Sequence, residues 1–113
     1  MTNITENEFW NTLNESEPKI TILSLGSKIY RWYNQKGELH RENDLPAEIY
    51  YKKDGSIYRK LWHQNGELHR INGPAVIFYN TSNDSNYIEY FYLYGVWYTY
   101  KEYNMIMFKQ KLI

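Results

Sequence analysis

The pentapeptide Gly-Glu-Leu-His-Arg occurs at residues 37–41 and again at residues 66–70 of a chain of 113 residues. The match extends in both directions, because Trp32 or Trp62 precedes each copy and a Pro-Ala pair follows each copy. Ile and then Tyr follow that pair at alternate positions in both copies. A period near 29 residues predicts a supersecondary unit that is used repeatedly and buries its apolar side chains against its neighbours.

Short segments of alternating polarity surround both copies, and they are rich in Ile, Tyr and Trp. A period of two residues in segments such as SKIYRWY, AVIFY and YIEYFYL predicts β-strands. Turn dipeptides separate these strands, at Lys36-Gly37, Asp54-Gly55, Asn65-Gly66 and Tyr94-Gly95. Residues 92–98 form a degenerate third copy, which retains only the hairpin with its aromatic strands. The pattern predicts a meander of about eight or nine antiparallel strands.

Both ends of the chain carry helix signals. Thr5 and Glu8 form a predicted capping box ahead of an apolar helical face, and Thr99 and Glu102 form a second one. We therefore predict a mainly β fold, an antiparallel β-hairpin repeat meander with short N- and C-terminal helices. We expect a single domain over residues 1–113, divided into an N-terminal helix and linker (1–18), the β-hairpin repeats (19–100) and a C-terminal helix (101–113).

Composition excludes several functional classes. Lys and Arg number 13, as do Asp and Glu, so no net charge attracts nucleic acid or an anionic membrane. The absence of Cys excludes disulfide frameworks and thiolate metal sites. The first ten residues are acidic and lack the apolar core of a signal peptide, and no apolar run approaches the roughly 20 residues of a membrane span. We expect a cytoplasmic protein that requires no cofactor and binds neither membrane nor nucleic acid.

The order of Trp, Asn-Gly turn, Glu-Leu-His-Arg, Gly-Pro-Ala and Ile-x-Tyr resembles the β-hairpin repeat proteins of giant viruses and phages. The resemblance covers roughly residues 26–98. The chain is also loosely similar to MORN-variant repeat proteins, including antitoxin-like ones, although the Tyr-x-Gly-x-Trp pattern of MORN repeats is missing. The resemblance implies a structural or protein-binding role, in the host cytoplasm if the chain is viral. It supplies no catalytic residue.

The duplicated His-Arg pairs, His40-Arg41 and His69-Arg70, have two interpretations. In the first, the Glu and His that share one strand face form a general base, and Arg41 and Arg70 hold an anion. In the second, Glu38 is hydrogen-bonded to His40, and the Arg side chains bond to nearby carbonyls or a carboxylate. Duplication favours this scaffold interpretation, because each unit of an array retains what it needs to fold, whereas an active site is needed once.

Metal binding and catalysis have weaker support. His63 and His69 flank the Asn65-Gly66 turn and could face each other across a hairpin, with Glu67 as a further ligand. A zinc site takes three or four protein ligands, so we expect no metal here. The sequence contains no nucleophile motif, phosphate-binding loop or His-Glu-x-x-His helix. We therefore expect that the protein is not an enzyme.

Aromatic residues make up 19% of the chain, and thirteen of them are Tyr. Too many large rings occur for a small core to bury all of them, so we expect an aromatic face that contacts a partner. An alternative is that this face only fills the core. The predicted face consists of Tyr30, Trp32, Tyr58, Trp62, Tyr92 and Trp97.

The sequence thus favours a non-catalytic protein-binding module, either a viral or phage protein that contacts a host protein or an antitoxin-like inhibitor. The alternative is a small-ligand or nucleotide binder that uses the aromatic face with Arg41 and Arg70. An open meander also has two free edges, predicted at residues 19–25 and 96–100. Since these edge segments are apolar or aromatic, we expect homodimerisation through an edge or an aromatic face.

Overall fold

The computed structural model describes residues 17–79 and 87–111, which form an antiparallel meander and one helix. Its strands are Lys19–Ile22 (β1), Lys28–Arg31 (β2), Glu48–Tyr51 (β3), Ile57–Leu61 (β4), His63–Gln64 (β5), Glu67–Leu68 (β6), Val76–Tyr79 (β7), Tyr87–Leu93 (β8) and Val96–Tyr98 (β9). Seven strands form one sheet in the order β1-β2-β3-β4-β7-β8-β9, and β5 pairs only with β6. The prediction of a mainly β antiparallel meander is confirmed.

Both copies of Gly-Glu-Leu-His-Arg lie in small hairpins between strands of the large sheet. The first GELHR hairpin, residues 33–39, follows β2 and is closed by a bridge between Tyr33 and Leu39. The second GELHR hairpin is β5–β6, which follows β4. The C-terminal hairpin, β8–β9, is part of the large sheet. The chain therefore leaves the sheet at each GELHR copy and returns at the Pro-Ala pair that follows it.

Tight turns close the second GELHR hairpin and the C-terminal hairpin. Asn65 and Gly66 have φ values of 50° and 88°, and Tyr94 and Gly95 have φ values of 49° and 81°. Two consecutive residues with positive φ make the turn type whose twist matches that of paired strands. Asn adopts this conformation readily, but it is strained for Tyr, so the neighbours of Tyr94 must stabilise it.

A row of alternating large and small side chains forms the core. The strand register places Ala47 between Trp32 and Trp62, and Ala75 between Trp62 and Phe91. Both alanines are 0% exposed, and each of the three rings is buried. The rings occupy the space above the alanines, so a larger side chain at either alanine would clash. This packing explains the Ala of the Pro-Ala pair that follows each copy.

The helix α1 (Tyr100–Lys111) covers the C-terminal end of that row. It begins at a capping box, in which the Thr99 hydroxyl accepts from the Glu102 N–H and the Glu102 carboxylate accepts from the Thr99 N–H. Tyr103 packs on Phe91 with the ring centroids 4.6 Å apart, and Leu93 completes this cluster. The predicted capping box and C-terminal helix are confirmed.

The helix starts at Tyr100, one residue before the predicted boundary at 101, and its described part ends at Lys111. The predicted N-terminal helix and linker over residues 1–18 lie almost wholly outside the described residues. Within residues 17–79 and 87–111, no helix is long and apolar enough to cross a membrane. β1 and β9 are the edge strands of the sheet, at the positions predicted from the sequence.

Candidate functional site

The arginine of each GELHR copy stacks on the Trp of the same copy. The guanidinium carbon lies 3.7 Å from the ring centroid in the Arg41–Trp32 pair and 3.9 Å from it in the Arg70–Trp62 pair. Each Arg also donates to the carbonyl oxygen of the proline that follows, at 3.2 Å and 3.1 Å. A guanidinium stacked on a ring shields it from water and adds a cation–π attraction. Both arginines therefore cover the core row.

Arg70 has a further partner in the loop that follows the first GELHR copy. Its Nε donates to a carboxylate oxygen of Asp44 at 3.0 Å. The backbone oxygen of Asp44 accepts from the indole N–H of Trp62, also at 3.0 Å. Asp44 thus joins the two copies through both its side chain and its backbone. The predicted bonds from Arg to carbonyls and to a carboxylate are present.

The histidine of each copy accepts a hydrogen bond from the turn of the next hairpin. Nδ1 of His40 accepts from the Asn65 N–H at 3.0 Å, and Nδ1 of His69 accepts from the Tyr94 N–H at 2.8 Å. A ring nitrogen that accepts is unprotonated, so the proton of each neutral ring lies on Nε2. The predicted Glu38–His40 bond is wrong, because His40 contacts Glu42 through Nε2 instead.

Backbone bonds accompany each histidine contact. The Gly66 N–H donates to the Leu39 carbonyl at 2.9 Å, and the Gly95 N–H donates to the Leu68 carbonyl at 2.8 Å. The side chain of Glu67 lies close over Gly95, and a Cβ added there would come within 3.0 Å of its carboxylate. The Gly, Leu and His of the motif therefore join one hairpin to the next. Glu38 lies over Gly66 in the same way, with its Cβ 3.6 Å from where a Cβ on Gly66 would lie, and it also accepts from the Asn34 amide at 2.9 Å.

Burial affects the charge of His69. Burial lowers the pKa of its imidazole below the ordinary value of 6.5, while the nearby Glu67 carboxylate acts in the opposite direction. The neutral ring is also the form that accepts from Tyr94. The Tyr94 ring stacks on that of His69 with a centroid separation of 4.1 Å. These two contacts stabilise Tyr94 in its strained conformation.

A buried ionic cluster that the sequence analysis did not identify lies at the centre of the sheet. Glu48 accepts from Arg31 Nε at 2.9 Å and contacts Nε2 of His63 at 2.8 Å. His63 pairs across its hairpin with Leu68, so it does not face His69 as suggested. No three His, Cys, Asp or Glu side chains are grouped to hold a metal among the described residues. The sequence feature that could have revealed this cluster is Glu48, a carboxylate at a strand position where the second copy has the apolar Val76.

The cluster determines the charge of Glu48. Burial by itself raises the pKa of this carboxyl, but hydrogen bonds from His63 and Arg31 outweigh burial and lower the pKa from 4.5 to about 2. Since the folded pKa lies below the unfolded value, the stability contributed by Glu48 is complete above the unfolded pKa. It is lost as the pH falls towards the folded pKa.

We expect the melting temperature to reflect this cluster. Glu48→Gln should melt below the wild type at neutral pH, and its melting temperature should then fall less steeply between pH 4.5 and 2. Glu89→Gln, which changes an exposed carboxylate, should keep the wild-type slope. Thermal melts at a series of pH values would measure this. Parallel curves for all three proteins would show that Glu48 titrates normally.

The six residues of the predicted aromatic face do not share one face. Trp32 and Trp62 are buried under their arginines, and Tyr30 lies beside Trp32 on the same side of the sheet. Tyr92 and Trp97 are paired on the opposite side of the sheet. Tyr58 lies beside a register shift and packs on Tyr50, with the ring centroids 5.7 Å apart. The prediction of a single face is therefore wrong.

An apolar surface does exist at the C-terminal end of the sheet. Alternate residues of β8 point to the side that α1 does not cover, and Trp97 lies directly opposite Tyr92 there. Ile88 is 58% exposed and Trp97 is 53% exposed. We call this the C-terminal sheet surface, and it consists of Ile88, Tyr90, Tyr92 and Trp97. None of its four side chains carries a charge.

Comparisons with models of protein families, with curated proteins and with solved structures found no match to this chain.

Proposed function

We propose that the domain is a non-catalytic protein-binding module that contacts its partner through the C-terminal sheet surface. The observation that carries this proposal is the exposure of Ile88 and Trp97 on one uncharged surface with Tyr90 and Tyr92. Trp and Tyr are enriched among the residues that dominate binding energy at protein interfaces. Contiguous exposed apolar patches on soluble domains mark interaction sites more often than isolated apolar residues do.

The GELHR side chains support the non-catalytic part of the proposal. Nδ1 of His40 and of His69 accepts from a neighbouring turn, so it is not available as a base. The guanidinium of Arg70 already pairs with Asp44, which leaves it less able to hold an anion. The small-ligand alternative, which relies on Arg41 and Arg70 beside an aromatic face, therefore has less support.

The resemblance of the copies to viral and phage hairpin repeats narrows the proposed partner to a host protein. The looser similarity to antitoxin-like MORN variants would make the partner a toxin instead. Both partners are proteins, and both would bind through exposed aromatic side chains.

Capture from an extract of the cells that make the protein would test the proposal. We expect Trp97→Ser to lose the protein that the wild type retains, or to bind it at least roughly tenfold more weakly, because a central Trp often dominates an interface. Leu25→Ser is the control, since Leu25 is 81% exposed but lies between β1 and β2 at the far end of the sheet.

Equal capture by the wild type and both variants would contradict the proposed surface.

A thermal-shift screen with nucleotides and metabolites would test the small-ligand alternative. Binding of a small ligand would raise the melting temperature by mass action. A clear rise would contradict the protein-binding proposal and support the alternative.

A further inference from the structure

The two strands of the C-terminal hairpin differ in length. β8 extends over Tyr87–Leu93, whereas β9 is only Val96–Tyr98. The register pairs Phe91 with Tyr98, so β9 ends there and the chain turns into α1. The first four residues of β8 pair with β7 on one side. On their other side, no strand among residues 17–79 and 87–111 pairs with them. We call residues 87–90 the open β8 edge.

The hydrogen-bonding direction of the open β8 edge follows from the turn beside it. A two-residue turn makes Leu93 and Val96 a hydrogen-bonded pair, and the alternation of an antiparallel ladder makes Phe91 and Tyr98 the next one. The same direction recurs at every second residue of the strand. The N–H and C=O of Glu89 therefore point away from β7, and so do those of Tyr87. The Tyr90 carbonyl points the other way, because it accepts from the Ala75 N–H at 2.9 Å.

The side chains along this edge determine which kind of strand can pair with it. Glu89 is the only charged residue of β8, and its neighbour on β7 is Ile77. Within the described part of the chain, Glu89 has no hydrogen bond or ion pair. The flanking Ile88 and Tyr90 point to the opposite face and are exposed. A strand beside this edge would therefore meet, on one face, a carboxylate that has no partner among the described residues and, on the other face, two apolar side chains.

From this arrangement we infer that the open β8 edge binds an extended segment of another protein as an added antiparallel strand. That strand has a Lys or Arg opposite Glu89 and apolar residues on either side of it. The inference rests on the proposed function and specifies the class of partner. Main-chain bonds to Tyr87 and Glu89 supply affinity, and the charge opposite Glu89 supplies specificity.

Charge also argues against a second copy of the same edge as the occupant. Antiparallel pairing of two open β8 edges centred on Glu89 would place two carboxylates directly opposite each other. Like charges in that position destabilise strand pairing, whereas a basic residue stabilises it. Because pairing of two copies in this register is disfavoured, we infer that the occupant is a basic strand of a different protein.

Two labelled peptides would test the inference with the whole 113-residue chain. The probe is the hexapeptide Thr-Val-Lys-Val-Thr-Val with fluorescein, and the matched control has Glu in place of Lys. We expect the Lys peptide to bind about tenfold more tightly than the Glu peptide, and Glu89→Lys to reverse this preference. Amide exchange should slow at Tyr87 and Glu89, whose N–H groups point outwards, and not at Ile88. Equal binding of both peptides would overturn the inference, and so would slowed amide exchange at other residues instead of Tyr87 and Glu89.

A proline variant separates this inference from the proposed function. Glu89→Pro removes an outward N–H and no bond to β7, so the domain should fold and lose the Lys peptide. If Trp97→Ser loses the natural partner while Glu89→Pro retains it, the protein-binding proposal stands and strand addition is overturned. If Glu89→Pro does not fold, the reversal by Glu89→Lys decides the question. A dimer detected by light scattering, in which the outward amides of the open β8 edge are already protected from exchange, would also overturn the inference.

Discussion

Replacing Trp62 with Ala is expected to lower the free energy of unfolding by about 3–5 kcal/mol. Trp62 is 6% exposed, and its ring lies between Ala47 and Ala75 in the core row. The substitution would leave a cavity under the guanidinium of Arg70 and an unpaired carbonyl at Asp44. A domain of this size is stable by only about 5–15 kcal/mol, so chemical denaturation would resolve the loss clearly.

Trp97→Ala is the matched control for this prediction. The same side chain is removed, but Trp97 lies on the C-terminal sheet surface and is 53% exposed. We expect a change within about 0.5 kcal/mol, as is typical of surface substitutions. Similar losses for both variants would contradict the assignment of one Trp to the core and the other to a binding surface.

The second large effect is expected at His69. His69→Ala should lower the free energy of unfolding by about 1–3 kcal/mol, because it removes a buried ring and leaves the part-buried Tyr94 N–H without an acceptor. It also removes the ring that packs on Tyr94, whose backbone conformation is strained. His40→Ala should have a smaller effect, since Asn65 tolerates positive φ without such support. Thermal melts would rank the two variants.

A conservative variant distinguishes the hydrogen bond from general packing. The side-chain oxygen of Asn occupies nearly the same place as Nδ1 of His, so His69→Asn should recover part of the stability lost in His69→Ala. Acid should weaken the contact in the wild type, because the protonated ring cannot accept from Tyr94. Since the folded pKa of His69 is lowered, this contribution is lost as the pH falls below 6.5. If His69→Asn and His69→Ala melt alike, the bond contributes nothing.

The strands, the turns and the C-terminal cap could be predicted from the sequence because their signals are local. A period of two residues identifies a strand wherever one face of the strand is apolar and the other is polar. Asn65-Gly66 and the Thr99–Glu102 pair each encode a structure within four residues. Duplication of the motif also indicated correctly that Arg70 bonds to carbonyls and a carboxylate.

The arrangement of the aromatic side chains could not be predicted, because it depends on the register between distant strands. Phe91, and not Tyr92, takes the place in the core row that Trp32 and Trp62 occupy. A shift of one residue reverses the face of every side chain in a strand, which puts Tyr92 on the solvent side. The Glu48–His63 contact likewise spans 15 residues and requires the pairing of β3 with β4.

The GELHR histidines join successive hairpins through Nδ1. NMR detects a scalar coupling between two nitrogens across an N–H···N hydrogen bond, and it also reports which ring nitrogen is protonated. At neutral pH we predict this coupling between the Tyr94 amide and Nδ1 of His69, and between the Asn65 amide and Nδ1 of His40, with both rings protonated at Nε2. The contrary result is a pair of neutral rings protonated at Nδ1, with no coupling and with rapid amide exchange at Tyr94 and Asn65. It would show that the histidines do not join the hairpins.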